Sequence, residues 1–177
     1  MRMTASLTAC LANILGTQLG RRIEIQLEQP VGGGSINDCF RLDTNAGPFF
    51  VKLNAADRFP SMFEAEADGL RRLAATGAIR VPRIIAIGEE HDVSFLLMEH
   101  LDSGLKGERF WEGFGRRLAA VHRHSASSFG LDRDNYIGSL RQTNTPASEW
   151  PAFFIHQRLE PQLKMAHDRK RVEGGMA

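Results

Sequence analysis

The sequence of 177 residues is poor in cysteine, has almost no net charge and contains no long apolar run. Its 22 Lys and Arg residues nearly balance 21 Asp and Glu residues, so no strong field recruits nucleic acid or an anionic membrane. A membrane span needs about 20 apolar residues, which are absent, and no signal-peptide core follows Met1. The two cysteines show no metal-binding spacing, which favours a location in the reducing cytoplasm.

What the sequence does contain is the composition of a folded protein, with 42% apolar and 24% charged residues. Apolar spacing predicts a helix over residues 4–20. A second helix is predicted to begin at Ser61, in a capping box with Glu64, and to end near Gly77. Apolar runs and alternations predict five strands, over residues 23–27, 39–42, 49–53, 84–87 and 94–98.

The pattern changes after Leu101, because the remaining sequence predicts helices only, over residues 107–125 and from residue 148. We therefore expect an α+β protein in two parts. The first, over residues 1–101, has an antiparallel sheet of about five strands with one packed helix. The second, over residues 102–177, is a partial helical lobe.

Lys52 lies in an otherwise apolar strand, where a buried and unpaired ammonium group is costly. An edge lysine that reaches solvent is one explanation. Glu66 favours another, because it falls about 60° from Phe63 on the helical wheel, inside the apolar arc of the predicted helix. A core-facing acid needs a cation and a core-facing lysine needs an anion, so we expect Lys52 and Glu66 to pair.

A glycine cluster precedes these two residues, at the bend between the first two predicted strands, and consists of Gly32, Gly33 and Gly34 with Ser35. Alone, it is explained by a flexible hairpin turn, because it has neither the Gly-x-Gly-x-x-Gly spacing nor the lysine of a Walker loop. Followed by a strand lysine and a helix glutamate, it matches the arrangement that orients ATP in the protein-kinase fold. Cys39, on the next strand, fits a buried unreactive thiol better than a redox site.

Nearly the whole chain resembles the fructosamine kinase (ketosamine-3-kinase) family, through motifs that occur in the family's order. These motifs are Gly33-Gly34-Ser35-Ile36-Asn37, Phe49-Phe50-Val51-Lys52, Met62-Phe63-Glu64-Ala65-Glu66-Ala67, Arg80-Val81-Pro82-Arg83, Met98-Glu99-His100-Leu101, Phe129-Gly130-Leu131-Asp132, Gln142-Thr143-Asn144, Trp150-Pro151-Ala152-Phe153-Phe154, Arg158-Leu159 and Pro161-Gln162-Leu163. The resemblance implies the fold of protein kinases and aminoglycoside phosphotransferases. Within that fold, the chain would supply the N-terminal lobe and the first helices of the C-terminal lobe.

The resemblance also implies a function. Members of the family use ATP and Mg²⁺ to phosphorylate the sugar 3-hydroxyl of ketosamines on glycated amines and proteins; the phosphate then leaves, and the amine is freed. By the same resemblance, residues 32–37 would cover the ATP phosphates, with Gly32, Gly33, Gly34 and Ser35 as binding residues. Lys52 would hold the phosphates and Glu66 would fix Lys52. The hinge whose backbone meets the adenine would consist of Met98, Glu99, His100, Leu101 and Asp102.

The sequence departs from the family pattern at the catalytic residues. It contains neither the His-Gly-Asp-Leu-Trp-x-Gly-Asn catalytic loop nor the later Asp-Pro metal motif. His100-Leu101-Asp102 is no substitute, because the loop needs an asparagine where Gly107 stands. We therefore assign no catalytic and no metal-binding residue, and expect a truncated chain without turnover, since phosphoryl transfer depends on a positioned nucleophile and on metal ions.

Two other functions stay open from the residues alone. One is a non-catalytic nucleotide-binding or interaction module, and the other is a small-molecule kinase of the aminoglycoside or choline type on the same fold. Apolar side chains in the later helices would lack covering helices, so we also expect marginal stability or self-association. These side chains are Phe110, Phe114, Leu118, Phe153 and Phe154.

Overall fold

The computed structural model describes residues 3–32 and 36–171. The chain divides into two compact units, Met1–His124 and Ser125–Ala177. The functional division at residue 101 stays a prediction. Within the described residues, no helix has the length and apolar character needed to cross a bilayer.

The first unit contains three helices and five strands among its described residues. In chain order these elements are α1 (Ala5–Leu19), β1 (Ile25–Pro30), β2 (Asp38–Thr44), β3 (Gly47–Ala55), α2 (Met62–Ala75), β4 (Ile84–Glu90), β5 (Val93–Glu99) and α3 (Phe110–Val121). The prediction of five strands with one helix between the third and the fourth is confirmed.

The five strands form one antiparallel sheet in the order β1-β2-β3-β5-β4. Successive side chains of a strand point to opposite faces, so β5 contributes to two apolar clusters. Phe95 and Leu97 pack with α1 residues such as Leu11, whereas Leu96 and Met98 pack with Phe63 of α2. The sheet is therefore covered by α1 on one face and by α2 on the other.

The start of α2 differs from the sequence prediction. Ser61 occupies the N-cap position as expected, but it has φ 58°, in the left-handed region, and its hydroxyl caps no backbone N–H of the described residues. The capping box with Glu64 is therefore wrong. Ser61 contributes to the start of the helix through its main chain instead, because the Ala65 N–H donates to the Ser61 carbonyl at 3.1 Å.

α3 is shorter than predicted and presents an apolar surface. None of its residues, all of which the structure describes, is buried. Phe110, Phe114 and Leu118 are each more than a third exposed, and Trp111 is 65% exposed. The rings of Phe110 and Phe114 stack on each other with their centroids 6.3 Å apart, so the exposed side chains form a continuous aromatic patch.

The second unit contains a short β-hairpin, where the sequence predicted helices only. β6 (Asn135–Ile137) pairs with β7 (Leu140–Gln142) in an antiparallel ladder. Strands of three residues are too short for a period of two to stand out in the sequence, which explains the difference. A helical segment follows, with α4 (Trp150–Phe154), a π-helical turn (Ile155–Leu159) and α5 (Glu160–Asp168).

Asn144 is the buried polar centre of this second unit, with only 2% of its surface exposed. Its amide donates to the Arg133 carbonyl and to the Asn135 side chain, both at 3.0 Å, and its side-chain oxygen accepts from Arg158. Gly130, at φ 117°, is required beside it, because a Cβ there would lie 2.7 Å from the Asn144 carbonyl oxygen. Phe153 is 5% exposed, so the expectation that it lacks cover is wrong.

Candidate functional site

Lys52 and Glu66 face each other on the α2 side of the sheet. Lys52 lies on β3, two residues after Phe50 and therefore on the same face, while Glu66 lies one turn into α2. The Lys52 Nζ donates to Glu66 Oε1 at 2.6 Å, and the two side chains are 27% and 29% exposed. The predicted pairing is confirmed, and the alternative of a lysine that only reaches solvent is wrong.

The pair lines a cleft of about 560 Å³. Apolar side chains from five parts of the first unit form much of its wall, and they are Val31, Phe50, Leu70, Pro82 and Met98. The end of β5 and the segment after it add residues 99–103 to the wall, and β2 adds Arg41. A mainly apolar pocket with a few charged groups is the usual form of a small-molecule site.

Glu99, the last residue of β5, is held by the chain that precedes β4. Its carboxylate accepts from the Arg83 backbone N–H at 3.2 Å and from the Arg80 guanidinium. The backbone hydrogen bond first, and Arg80 second, lower the pKa of Glu99 below its ordinary value. The Glu99 N–H donates to the Arg83 carbonyl at 2.9 Å, so both the main chain and the side chain fix the start of the cleft wall.

A chain of charged contacts links β2 to this wall of the cleft. Arg41 of β2 contacts Asp43 through Nε at 2.8 Å and Asp102 through Nη1 at 3.6 Å. His100 Nδ1 lies 3.3 Å from the same Asp102 oxygen. This His100 Nδ1 atom is buried and makes no hydrogen bond to any described residue. Asp102 therefore lies between two cationic or potentially cationic groups.

The glycine cluster lies mostly outside the described residues, which exclude Gly33, Gly34 and Ser35. Gly32 is described, and a Cβ built there would meet no atom of the described residues within 4 Å. The chain on either side is fixed, because the Val31 N–H donates to the Cys39 carbonyl at 2.8 Å. Val31, the residue that follows β1, lines the cleft.

Cys39 lies opposite Lys52 in the β2–β3 ladder. Burial, more than any charge, raises the pKa of its thiol; Glu66 and Asp38 raise it further, and Lys52 opposes them. A reactive cysteine needs a lowered pKa, so the structure favours the unreactive thiol.

Of the residues predicted to bind ATP, seven line this one cleft, and they are Lys52, Glu66, Met98, Glu99, His100, Leu101 and Asp102. Gly32 does not line it, and the ATP-binding role of every one of these residues stays a prediction. The described ranges contain no group of three or more His, Cys, Asp or Glu side chains able to hold a metal ion.

Several cleft residues were not predicted from the sequence, among them Arg41 and Phe50. Both could have been found from the period of two along a strand. Phe50 shares a face of the sheet with Lys52. Arg41 shares a face with Cys39, and Cys39 lies opposite Lys52 in the ladder. Leu70 and Pro82 carried no such signal, since their approach to the cleft depends on how α2 and the segment before β4 pack on the sheet.

A five-stranded antiparallel sheet whose central lysine pairs with a helix glutamate beside a cleft defines a kinase-like N-terminal lobe. A solved aminoglycoside phosphotransferase mutant shares this fold, with a TM-score of 0.58 over 92% of this chain and 54% of its own, at 13% identity. The chain belongs to the fructosamine kinase family, whose model matches residues 7–177.

Two relatives illustrate the match. The chloroplastic protein-ribulosamine 3-kinase of Arabidopsis thaliana is 42% identical over 154 residues, which are 85% of this chain and 46% of the plant protein. The crystal structure of a Haemophilus somnus protein assigned as a fructosamine-3-kinase superposes with a TM-score of 0.84 at 30% identity, over 93% of this chain and 56% of that one. The chain spans about half the length of the curated relatives that it matches.

Proposed function

We propose that this chain binds ATP in the cleft beside Lys52 and Glu66, as the nucleotide-binding part of a ketosamine kinase. The observation that carries this proposal is the Lys52–Glu66 hydrogen bond of 2.6 Å at the wall of the cleft. In the kinase fold, such a pair holds the lysine where it meets ATP phosphates. The apolar wall, with Phe50 and Met98, suits the adenine ring, and the backbone of residues 100–102 would meet its edge.

We propose that the kinase to which this chain contributes transfers the ATP γ-phosphoryl group to the sugar 3-hydroxyl of a ketosamine. The ketosamine would be carried on an amine or a protein. Loss of that phosphate would then release the amine, so the biological outcome would be deglycation. A cytoplasmic location accords with the two free thiols.

We further propose that the 177 residues bind nucleotide without turning over a ketosamine. The sequence has no His-Gly-Asp catalytic loop and no later Asp-Pro motif. Phosphoryl transfer relies on a group that orients the nucleophile and on metal ions that offset the developing charge. With Lys52 and Glu66 alone, the chain could hold the phosphates but not complete the transfer.

Thermal unfolding with and without ADP or ATP tests nucleotide binding. We expect either nucleotide to raise the Tm of the chain, and expect Lys52→Met to abolish most of that increase. Lys164→Met is the matched control, since Lys164 is 76% exposed and pairs only with its helix neighbour Asp168 in the described structure. No increase in Tm for the unaltered chain, or equal increases in both variants, would reject the proposal.

Turnover is measured separately, as ADP released from ATP, Mg²⁺ and a fructosamine substrate. We expect no release above the rate without substrate. Substrate-dependent release that needs Mg²⁺ would show that the catalytic group lies elsewhere in these residues, and would overturn the proposal of an inactive chain while leaving nucleotide binding intact.

A further inference from the structure

Asn54 is a buried asparagine on the Lys52 face of β3. It lies two residues after Lys52, so both side chains are on the same face of the sheet, and only 3% of its surface is exposed. Its amide nitrogen donates to Asn37 Oδ1 at 3.3 Å and lies 3.4 Å from Met62 Sδ. The side-chain oxygen of Asn54 is buried without a hydrogen-bond partner among the described residues. Because an unpaired buried oxygen is costly, packing alone does not require an amide at this position.

The hydrogen bond from Asn54 orients the side chain of Asn37. An amide that accepts through its oxygen turns its nitrogen away from the donor. The reverse arrangement would turn the Asn54 oxygen towards the Met62 sulfur, which is also an acceptor. Asn37 is half-buried, and within the described ranges its side chain makes no hydrogen bond other than the one to Asn54. The amide nitrogen of Asn37 therefore keeps both of its N–H groups for solvent or a ligand.

The two asparagines lie past the Lys52 end of the cleft. In the β2–β3 ladder, Cys39 lies opposite Lys52. Asn37 comes two residues before Cys39, at the start of β2, and so continues the same face of the sheet. Asn54 is about 7 Å further along β3 than Lys52 at strand spacing. Neither asparagine lines the cleft itself, so both mark the place where a ligand would extend beyond Lys52.

The direction of the bound nucleotide decides which group would meet Asn37. β5 ends at Glu99, opposite Phe49, so residues 100–102 lie beyond the Phe49 end of β3. Asn37 lies at the other end of this strand pair. A nucleotide with its base at residues 100–102 and its phosphates at Lys52 extends its last phosphoryl group towards Asn37.

We propose that the Asn37 side-chain amide donates a hydrogen bond to the terminal phosphoryl group of bound ATP, and that Asn54 positions Asn37 for this contact. A hydrogen bond to a charged phosphate oxygen is stronger than one between neutral groups. ADP lacks the terminal group, so the contact favours ATP over ADP. The inference rests on the nucleotide-binding function proposed above and assigns to it a preference for the triphosphate.

The test compares ATP with ADP by titration calorimetry on the full chain, with the same excess of Mg²⁺ throughout. We expect ATP to bind more tightly than ADP, and Asn37→Ala to lower this ratio of affinities roughly tenfold, as expected when one hydrogen bond to a charged group is lost. Asn37→Asp keeps the acceptor for Asn54 but has no donor, and should lower the ratio at least as much. This second variant keeps the test independent of whether Asn37→Ala folds.

Asn54→Leu separates a positioning role from a structural one. It keeps nearly the same size but has no donor, so the ratio should fall as it does in Asn37→Ala. The double variant should lower the ratio no further than Asn37→Ala alone, because Asn54 acts through Asn37. The Tm should be unchanged or higher, since the unpaired buried oxygen is removed. A lower Tm with an unchanged ratio would make Asn54 a structural residue and overturn its positioning role.

Asn13→Ala is the matched control, since Asn13 is an exposed asparagine on α1 and does not line the cleft. Its ratio should equal that of the unaltered chain. Equal affinities of the unaltered chain for ATP and ADP, or an unchanged ratio in Asn37→Asp, overturn the phosphate contact. If neither nucleotide binds the unaltered chain, the proposed function itself fails, which is a different result from binding without a preference for ATP.

Discussion

The Lys52 ammonium group and the Glu66 carboxylate are joined by a hydrogen bond of 2.6 Å that ties β3 to α2. The two residues are 14 positions apart in the chain, and both side chains are more than two-thirds buried. A charged pair of this kind needs good geometry to offset the loss of water around each group. Its position at the cleft wall means that one contact contributes both to the packing of α2 and to the proposed phosphate site.

Replacing Glu66 by Gln should therefore affect stability as well as binding. We expect a loss of about 1 kcal/mol in the free energy of unfolding, since Lys52 keeps a neutral partner but loses the charge opposite it. Urea unfolding at neutral pH measures this. Glu64→Gln is the control, because Glu64 lies in the first turn of the same helix and should cost only a few tenths of a kcal/mol. Equal losses in the two variants would contradict a specific role for the pair.

The lowered pKa of Glu99 predicts how stability depends on pH. The stabilisation from its ionised form is complete above its unfolded pKa of about 4.3 and is lost as the pH falls through the lower folded pKa. Arg80→Gln removes one donor and brings the folded pKa closer to the ordinary value. The stability difference between the unaltered chain and Arg80→Gln should thus be largest above about pH 5 and shrink below it.

Unfolding curves recorded between pH 7 and pH 3 check this expectation. Arg117→Gln is the matched control, as Arg117 lies exposed on α3. A difference for Arg80→Gln that does not vary with pH, or that matches the difference for Arg117→Gln, would count against the role of Arg80 at Glu99.

The Cys39 thiol should react slowly with alkylating agents. Its pKa is raised by burial and by two carboxylates, and only the Lys52 charge opposes this. Lys52→Met should raise the pKa further and slow alkylation at pH 8, because less thiolate is present. The rate is best measured with iodoacetamide in a Cys10→Ser background, so that only Cys39 reacts. Faster alkylation in Lys52→Met than in Lys164→Met would show that access, not charge, controls the thiol.

The aromatic patch of α3 should cause self-association. Phe110, Trp111 and Phe114 are exposed and contiguous, and large exposed apolar patches on a protein tend to associate. We expect the apparent mass in size-exclusion chromatography with light scattering to rise with concentration. Phe114→Gln should reduce that rise, and Arg117→Gln on the same helix should not. A monomer at all concentrations, with a cooperative melt, would contradict this expectation.

The local pattern of the sequence was sufficient to predict most helices and strands of the first unit. The five strands and the first two helices were predicted within a few residues, because a period of two or 3.6 in apolar side chains reflects burial of one face. The same reasoning paired Lys52 with Glu66, since each was a charge that faced the core. The order of motifs along the chain was also sufficient to indicate the family.

Other features could not be predicted from the sequence, since they depend on parts of the chain that meet only in the folded protein. Ser61 was predicted to cap α2 with its side chain, but the left-handed turn that leads into the helix excludes this geometry. The Asn144–Arg158 contact joins residues 14 positions apart, and Arg158 lies within a π-helical turn that has no signature in the sequence.

The sequence by itself determined the elements, their order and the charged pair at the centre of the sheet, because burial of apolar faces and pairing of buried charges are local requirements. Only the tertiary structure decided which side chains share the cleft. Arg41 and Asp102 are 61 residues apart by their numbers and meet at 3.6 Å because β2 and the end of β5 flank β3 in one sheet. A contact of that kind is set by strand order and register, which no local pattern records.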